Sequence, residues 1–171
     1  MKINFYLRLL ISILFFNLLY NFIDPVNTED LFTKDFYVYQ KIAGIEFTNF
    51  QEGFWQYASE TTGAYPGYYL LQYFLKLFVP YEGNSIYFIS LFIYLTTSLG
   101  LFFPYRINNI SFIAISLSLY PIILSFSALK LGASIAFYII YQKLKYINKL
   151  SSRLFLFLSI ITHPQILILT I

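Results

Sequence analysis

The sequence predicts an all-α fold: a polytopic bundle of about five spanning helices, with interfacial helices in an acidic first outer loop. Three observations carry that expectation. The chain is 58% hydrophobic and 22% aromatic but only 11% charged. A soluble domain carries roughly 25% charged residues, so most of this chain must have lipid as its solvent. The apolar residues also fall into separate runs of helical length. Finally, seven of the eight carboxylates stand in one stretch, Asp24 to Gly67: Asp24, Glu29, Asp30, Asp35, Glu46, Glu52 and Glu60. Only Lys34 and Lys41 oppose them there.

Taken in order, residues 5–23 form the first apolar run, with Lys2 before it and Arg8 near its start. A cleaved signal peptide needs small residues at a cleavage site. Asn21 to Thr28 offers no such site, so the run reads as an uncleaved spanning helix with a cytoplasmic N-terminus. Asp24-Pro25 ends it, because the residue before proline is pushed out of the helical region. Within the acidic loop, 34–42 and 50–57 have helical spacing with one apolar side, as short helices lying along the membrane surface do. Residues 66–79 begin with Pro66, which suits a first helical turn, and stop before Pro80. At about 1.5 Å per residue they cover about 21 Å, short of the roughly 30 Å hydrocarbon core. Gln72 and Lys76, one turn apart, form a single polar stripe on that helix.

Charge parity places this segment as interfacial or re-entrant. The later runs are 85–103, 110–127, 129–142 and 154–171. If 66–79 does not cross, Arg106 and the group Lys143, Lys145, Lys149 and Arg153 fall inside, as the positive-inside bias requires. Glu82 then stays outside with the other acids, so the outer unit runs from 24 to 82. Lys130 is the exception, a cation left on the outer side. It reads either as a partner for an anion or as a snorkelling lysine on lipid phosphate or the acidic loop. His163, the only histidine, falls about nine residues into a span beginning at Arg153, roughly 14 Å deep. A polar ring at that depth is a functional-site candidate, or else an uncharged ring bonded to a neighbouring carbonyl beside the Pro164 kink. The whole chain reads as one transmembrane domain, 1–171, without repeats. It stops at Ile171 inside an apolar run with no cap, flanking charge or aromatic anchor, and so reads as the fragment of a longer protein.

Several chemistries are excluded. The absence of cysteine removes disulfides, thiolate metal sites and cysteine nucleophiles. One histidine and no cysteine argue against a dedicated zinc site. No P-loop, dinucleotide fingerprint or HExxH occurs, and no GxSxG elbow. No basic block with interleaved aromatics points to nucleic acid. What remains is a set of outer carboxylates, one outer lysine and one intramembrane histidine. Carboxylates serve as general bases toward sugar hydroxyls, or hold a divalent cation against a diphosphate. A lysine offsets charge developing on a leaving diphosphate.

The order of features then resembles a family. Asp35-Phe-Tyr-Val-Tyr39 has the D-x-x-x-Y form of the first outer loop in EpsG-like and related Wzy-type polysaccharide polymerases. Tyr65-Pro-Gly-Tyr-Tyr-Leu-Leu71 is similar to their E-P-G-F-x-L-L segment, with Tyr65 where glutamate usually stands. Ser127-Ala-Leu-Lys-Leu-Gly-Ala-Ser134 is similar to N-x-x-R-x-G-x-A, with Lys130 at the arginine position. Ile161-Thr-His-Pro-Gln165 resembles the A-x-x-H-x-S element. The likeness covers the whole chain but only about the N-terminal half of such a family member, and it also extends to GT-C glycosyltransferases in general.

The resemblance implies an inner-membrane enzyme that joins polyprenyl-diphosphate-linked oligosaccharide repeat units outside the cytoplasm, for O-antigen, capsule or exopolysaccharide. It implies the bilayer, the lipid-linked glycan, a chain-length regulator and a flippase as partners, with no cofactor beyond an optional divalent cation. In that picture Asp35 is the candidate base, Lys130 meets the diphosphate, and His163 lines the cavity or assists proton transfer. Tyr39 and Trp55 stack on sugar faces or anchor the loop at headgroup depth. Glu60 or Glu52 substitutes for the glutamate lost at Tyr65, and Gln72 and Lys76 are further substrate-contact candidates. Lysine in place of arginine keeps the charge but loses the bidentate fork suited to phosphate. Two other readings stand beside this one: a GT-C transferase using a polyprenyl-phosphate sugar donor, and a non-enzymatic transporter or channel subunit whose acidic vestibule concentrates cations. The 171-residue product is expected to be inactive alone.

Overall fold

The computed structural model describes residues 5–24, 50–60, 66–79, 84–100 and 109–169, and among these every regular element is helical. The first helix, α1 (Phe5–Ile23), is an unbroken apolar run with Arg8 as its one charge. It ends where the sequence places Asp24 before Pro25. Asp24 takes a φ of 48°, the left-handed region that L-residues rarely adopt, while its N–H still bonds the Tyr20 carbonyl at 3.0 Å. Among the described residues α1 is the one helix long and apolar enough by itself to cross a membrane.

Two short helices follow, α2 (Phe50–Glu60) and α3 (Pro66–Lys76). Pro66 opens α3 because its missing N–H costs nothing in a first turn. The two helices pack through aromatic rings. Tyr57 and Phe54 lie 5.4 and 5.6 Å from the Tyr69 ring. The expected surface helix at 34–42 lies outside the described residues.

The centre of the molecule is α4 (Asn84–Gly100), which packs against α1, α3 and each of the helices that follow up to the sixteen-residue α7 (Leu129–Leu144). A helix apolar on all sides belongs in an interior, and Ile86, Ile89, Ile93 and Tyr94 are fully buried. Its hydroxyls mostly bond within the protein: Thr97 Oγ1 donates to the Ile93 carbonyl at 2.7 Å and Ser90 Oγ to the Ser125 carbonyl at 2.5 Å. On the α1 side, Phe16 is the hub. It stacks on Phe126 at 5.6 Å with planes 8° apart, and meets Tyr87 and Tyr94 at 5.4 and 5.5 Å. Each such ring pair contributes about 0.5–1.5 kcal/mol beyond its buried area.

The single run expected at 110–127 is two helices, α5 (Asn109–Ser116) and α6 (Leu119–Phe126). Pro121 is the cause. It has no N–H for the Leu117 carbonyl, and its ring crowds that carbonyl. After Ser127 and Ala128 the chain turns sharply: the Phe112–Phe126 and Leu129–Leu144 segments are bent by 117°. Only as that bent pair do they reach spanning length and apolarity.

The last helix, α8 (Lys149–Thr162), starts five residues before the expected 154–171 run. Asn148 is the reason, since its side-chain oxygen accepts from the N–H groups of Leu150 and Ser151, both at 3.1 Å. Such a cap satisfies first-turn donors that have no intrahelical partner. His163 precedes Pro164 and is extended (φ −157°, ψ 101°), so α8 stops there and a 3-10 segment, Pro164–Leu169, follows. Helices α7 and α8 form an antiparallel hairpin and share the most extensive helix–helix contact among the described residues. Phe137 and Phe155 meet across it at 6.2 Å.

Candidate functional site

At the open end of the α7–α8 hairpin stand two polar side chains that lie 33 positions apart in sequence. Lys130 is the second residue of α7 and His163 ends α8. The charge of Lys130 acts on the His163 ring. Lys130 is 8% exposed. Burial of a cation is costly, and the first turn of a helix, with its positive dipole end, disfavours one further. Ala128, the N-cap, supplies no side-chain bond.

One turn inboard, a hydroxyl clamp holds the two helices in register. Ser134 Oγ donates to the Ser159 carbonyl at 2.8 Å, and Ser159 Oγ donates to the Ser134 carbonyl at 2.8 Å. Their oxygens lie 3.2 Å apart, and Ser134 Oγ is 3.5 Å from the His163 carbonyl. Ser134 is four residues after Lys130, and Ser159 four before His163. The clamp thus fixes the base of the cation–histidine pair.

Two glycines let other helices close on this end. A Cβ on Gly67 would lie 2.6 Å from the Thr162 N atom and 2.7 Å from Ile161 Cγ1 and Thr162 Oγ1. The first turn of α3 therefore sits directly on the end of α8. A Cβ on Gly132 would clash with the Leu124 carbonyl oxygen and lie 2.8 Å from Ile93 Cγ2. The start of α7 is pressed onto α6 and α4 as a result.

The structure brings some of the sequence candidates together and leaves others apart. Lys130 and His163 stand at the same end of the hairpin, near enough for the charge of one to act on the other. His163 lies at the end of α8, fourteen residues beyond its first residue, Lys149, and not partway along a span begun at Arg153. Gln72 is nearly fully buried on α3, whereas Lys76 in its last turn is half-buried. Glu52 and Trp55 are exposed on α2. Glu60 is the last residue of α2. Asp35 and Tyr39 lie outside the described residues. The clamp serines and Thr162 were not among the candidates. Ser134 and Ser159 stand one turn from Lys130 and from His163, Thr162 stands next to His163, and Ser134 and Thr162 fall inside the segments that carry the resemblance.

No group of three or more His, Cys, Asp or Glu placed to hold a metal ion occurs among the described residues. Compared with known protein families, curated proteins and solved structures, the chain matches none.

Proposed function

We propose that this chain carries the outer-face anion site of a membrane glycan polymerase, an enzyme that joins polyprenyl-diphosphate-linked repeat units. One observation carries the reading. Three of the four segments that resemble the EpsG-like and Wzy-type pattern lie far apart in sequence yet meet at one end of the helices. Gly67 of the first abuts Ile161 and Thr162 of the third. Lys130 of the second acts on His163 of the third, and Ser134 of the second is joined to Ser159, four residues before His163. The fourth segment, Asp35 to Tyr39, lies outside the described residues.

In this reading, which takes its spans from charge parity and not from helix length, α1, α4, the α5–α6 pair, α7 and α8 cross the inner membrane of a bacterium. Helices α2 and α3 lie at its outer face, and the N-terminus is cytoplasmic. Lys130 and the first-turn amides of α7 meet the donor's diphosphate. As the bond between the anomeric carbon and the diphosphate oxygen breaks, the electron pair passes to that oxygen, and Lys130 offsets the charge. The acceptor hydroxyl bonds to the anomeric carbon and gives its proton to a carboxylate, for which Asp35 is the candidate, with His163 assisting the transfer.

Deletion of the gene, followed by electrophoresis of the cell's surface polysaccharide, tests the reading. Single-repeat products are expected. An unchanged ladder of chain lengths would sink it.

A further inference from the structure

The closed end of the α7–α8 hairpin is built unlike any other described part of the molecule. Between Lys143 and Arg153 the chain carries Lys143, Lys145, Lys149 and Arg153, and no carboxylate. Every carboxylate in the sequence lies between Asp24 and Glu82. The charges of Lys149 and Arg153 are exposed to solvent.

Between and around the cations, large apolar groups face outward. Tyr146, Ile147 and Leu150 are 84%, 81% and 81% exposed. The apolar surface continues along one side of α8 through Leu154 and Phe157, both exposed, at the four- and three-residue steps of a single helix face. Lys145 Nζ lies 5.1 Å from the centre of the Tyr146 ring, so cation and aromatic body point the same way. Asn148, through its two bonds to the start of α8, makes this a fixed turn.

The helices themselves account for only half of the charge. Lys143 and Lys145 stand at the C-terminal end of α7, where a helix dipole favours cations. Lys149 opens α8, where the dipole disfavours them, and Arg153 lies one turn on. An apolar tip ringed by cations has the composition of a surface that seats at the boundary of acyl chains and head groups, with anionic phosphates around it.

We propose that the α7–α8 turn is a docking surface for the anionic phospholipids of a bilayer leaflet. Tyr146, Ile147 and Leu150 enter the acyl boundary, and Lys143, Lys145, Lys149 and Arg153 hold the head-group phosphates. The surface gathers acidic lipid around this end of the hairpin and fixes its depth. The proposal needs the chain to be in a bilayer and is independent of the glycan chemistry.

The test uses the full chain carrying Trp55→Phe and Tyr146→Trp, two substitutions at exposed positions, so that one indole reports the tip. The protein is placed in nanodiscs of phosphatidylcholine with a minor fraction of phosphatidylglycerol, with bromine on the acyl chains of one lipid or the other. The indole is expected to be quenched more strongly by brominated phosphatidylglycerol than its share of the lipid predicts, since each cation near a leaflet enriches acidic lipid on the order of fivefold. Changing Lys145, Lys149 and Arg153 to Gln should return quenching to the bulk ratio. Equal quenching per lipid in the parent would overturn the proposal, as would no quenching by either. In the chain without the indole changes, native mass spectrometry should find phosphatidylglycerol retained, and lost in the same triple-Gln variant. Retention unchanged by neutralisation would count equally against it.

Discussion

The two ends of the α7–α8 hairpin use the same residue type for opposite purposes. At the open end a single lysine, Lys130, is buried beside His163 and held above a pair of serines that bond each other's backbone. At the closed end four cations surround an apolar tip, two of them exposed. Charge alone does not separate these ends. Solvation does. A buried cation is retained against a desolvation cost and has to be matched by something specific. An exposed one costs little and acts through the summed field of its neighbours. The difference implies that substitutions at the open end act singly and strongly, and those at the closed end weakly and together.

The largest effect is expected from Lys130→Ala. Loss of a group that stabilises a leaving charge lowers a rate by about 10² to 10³. Pulse-labelled surface polysaccharide should show a collapse of polymer formation, while Lys145→Ala should leave it unchanged. Equal effects from both would erase the distinction between the ends, and full polymer length with Lys130→Ala would remove the diphosphate role.

Next come the glycines that close the open end. Gly132→Ala places a methyl group against the Leu124 carbonyl and Ile93, and Gly67→Ala places one against the Thr162 backbone. Overpacking of this kind costs about 1–3 kcal/mol, read as a lowered Tm in detergent. Backbone resists displacement, so neither site is expected to relax as a flexible side chain would. A Tm within error of the parent for both variants would mean that the three segments do not close on one another as described.

These glycines also mark what the sequence made legible. Pro66, Asp24-Pro25 and the long apolar runs give α1, α3 and α4 nearly at their observed limits, because proline and burial act locally. The break between α5 and α6 was written in Pro121 but is masked by an unbroken apolar run on both sides. The start of α8 was written in Asn148, a cap hidden among cations that read as a loop. The common position of Lys130 and His163 is of another kind. It depends on the turn at 145–148 that folds α8 back along α7 and on the register set by Ser134 and Ser159. No periodicity within either helix encodes that relation. Charge parity singled out Lys130 and depth in an apolar run singled out His163, and only the fold brings them to one end of the hairpin.

The clamp supplies a smaller and more diagnostic effect. Ser134→Ala or Ser159→Ala alone should cost about 1 kcal/mol, the usual net worth of a hydrogen bond. Each change removes one of two reciprocal bonds across the same contact. The double variant should depart from the sum of the singles, as contacting residues do. Asn148→Ala, at the other end, should also cost about 1 kcal/mol through loss of a helix cap, and should add to either serine change. Unfolding of the parent, the three single variants, the serine double and the two Asn148–serine doubles in one detergent gives the cycles. Strict additivity between Ser134 and Ser159 would mean that they hold the helices independently and not as one clamp.

The smallest effect separates the ends most sharply, because one kind of substitution is made at both. Lys149→Glu puts an anion in the first turn of α8, where the dipole favours it by about 0.3–1 kcal/mol at an exposed site. In neutral detergent this variant should melt slightly above the parent. Lys130→Glu also puts an anion in a first turn, that of α7, but it buries the charge and turns attraction for a phosphate into repulsion, so its Tm should fall. Transfer to bilayers rich in phosphatidylglycerol should reverse the first result and leave the second alone. There the parent's Lys149 faces lipid phosphate, worth about 1 kcal/mol per cation near the surface, and glutamate forfeits it. A Lys149→Glu gain that survives in anionic bilayers would mean that lipid phosphate does not reach the closed end. A Lys130→Glu chain as stable as the parent would mean that burial, the property that separates the two ends, does not decide what a cation does at either of them.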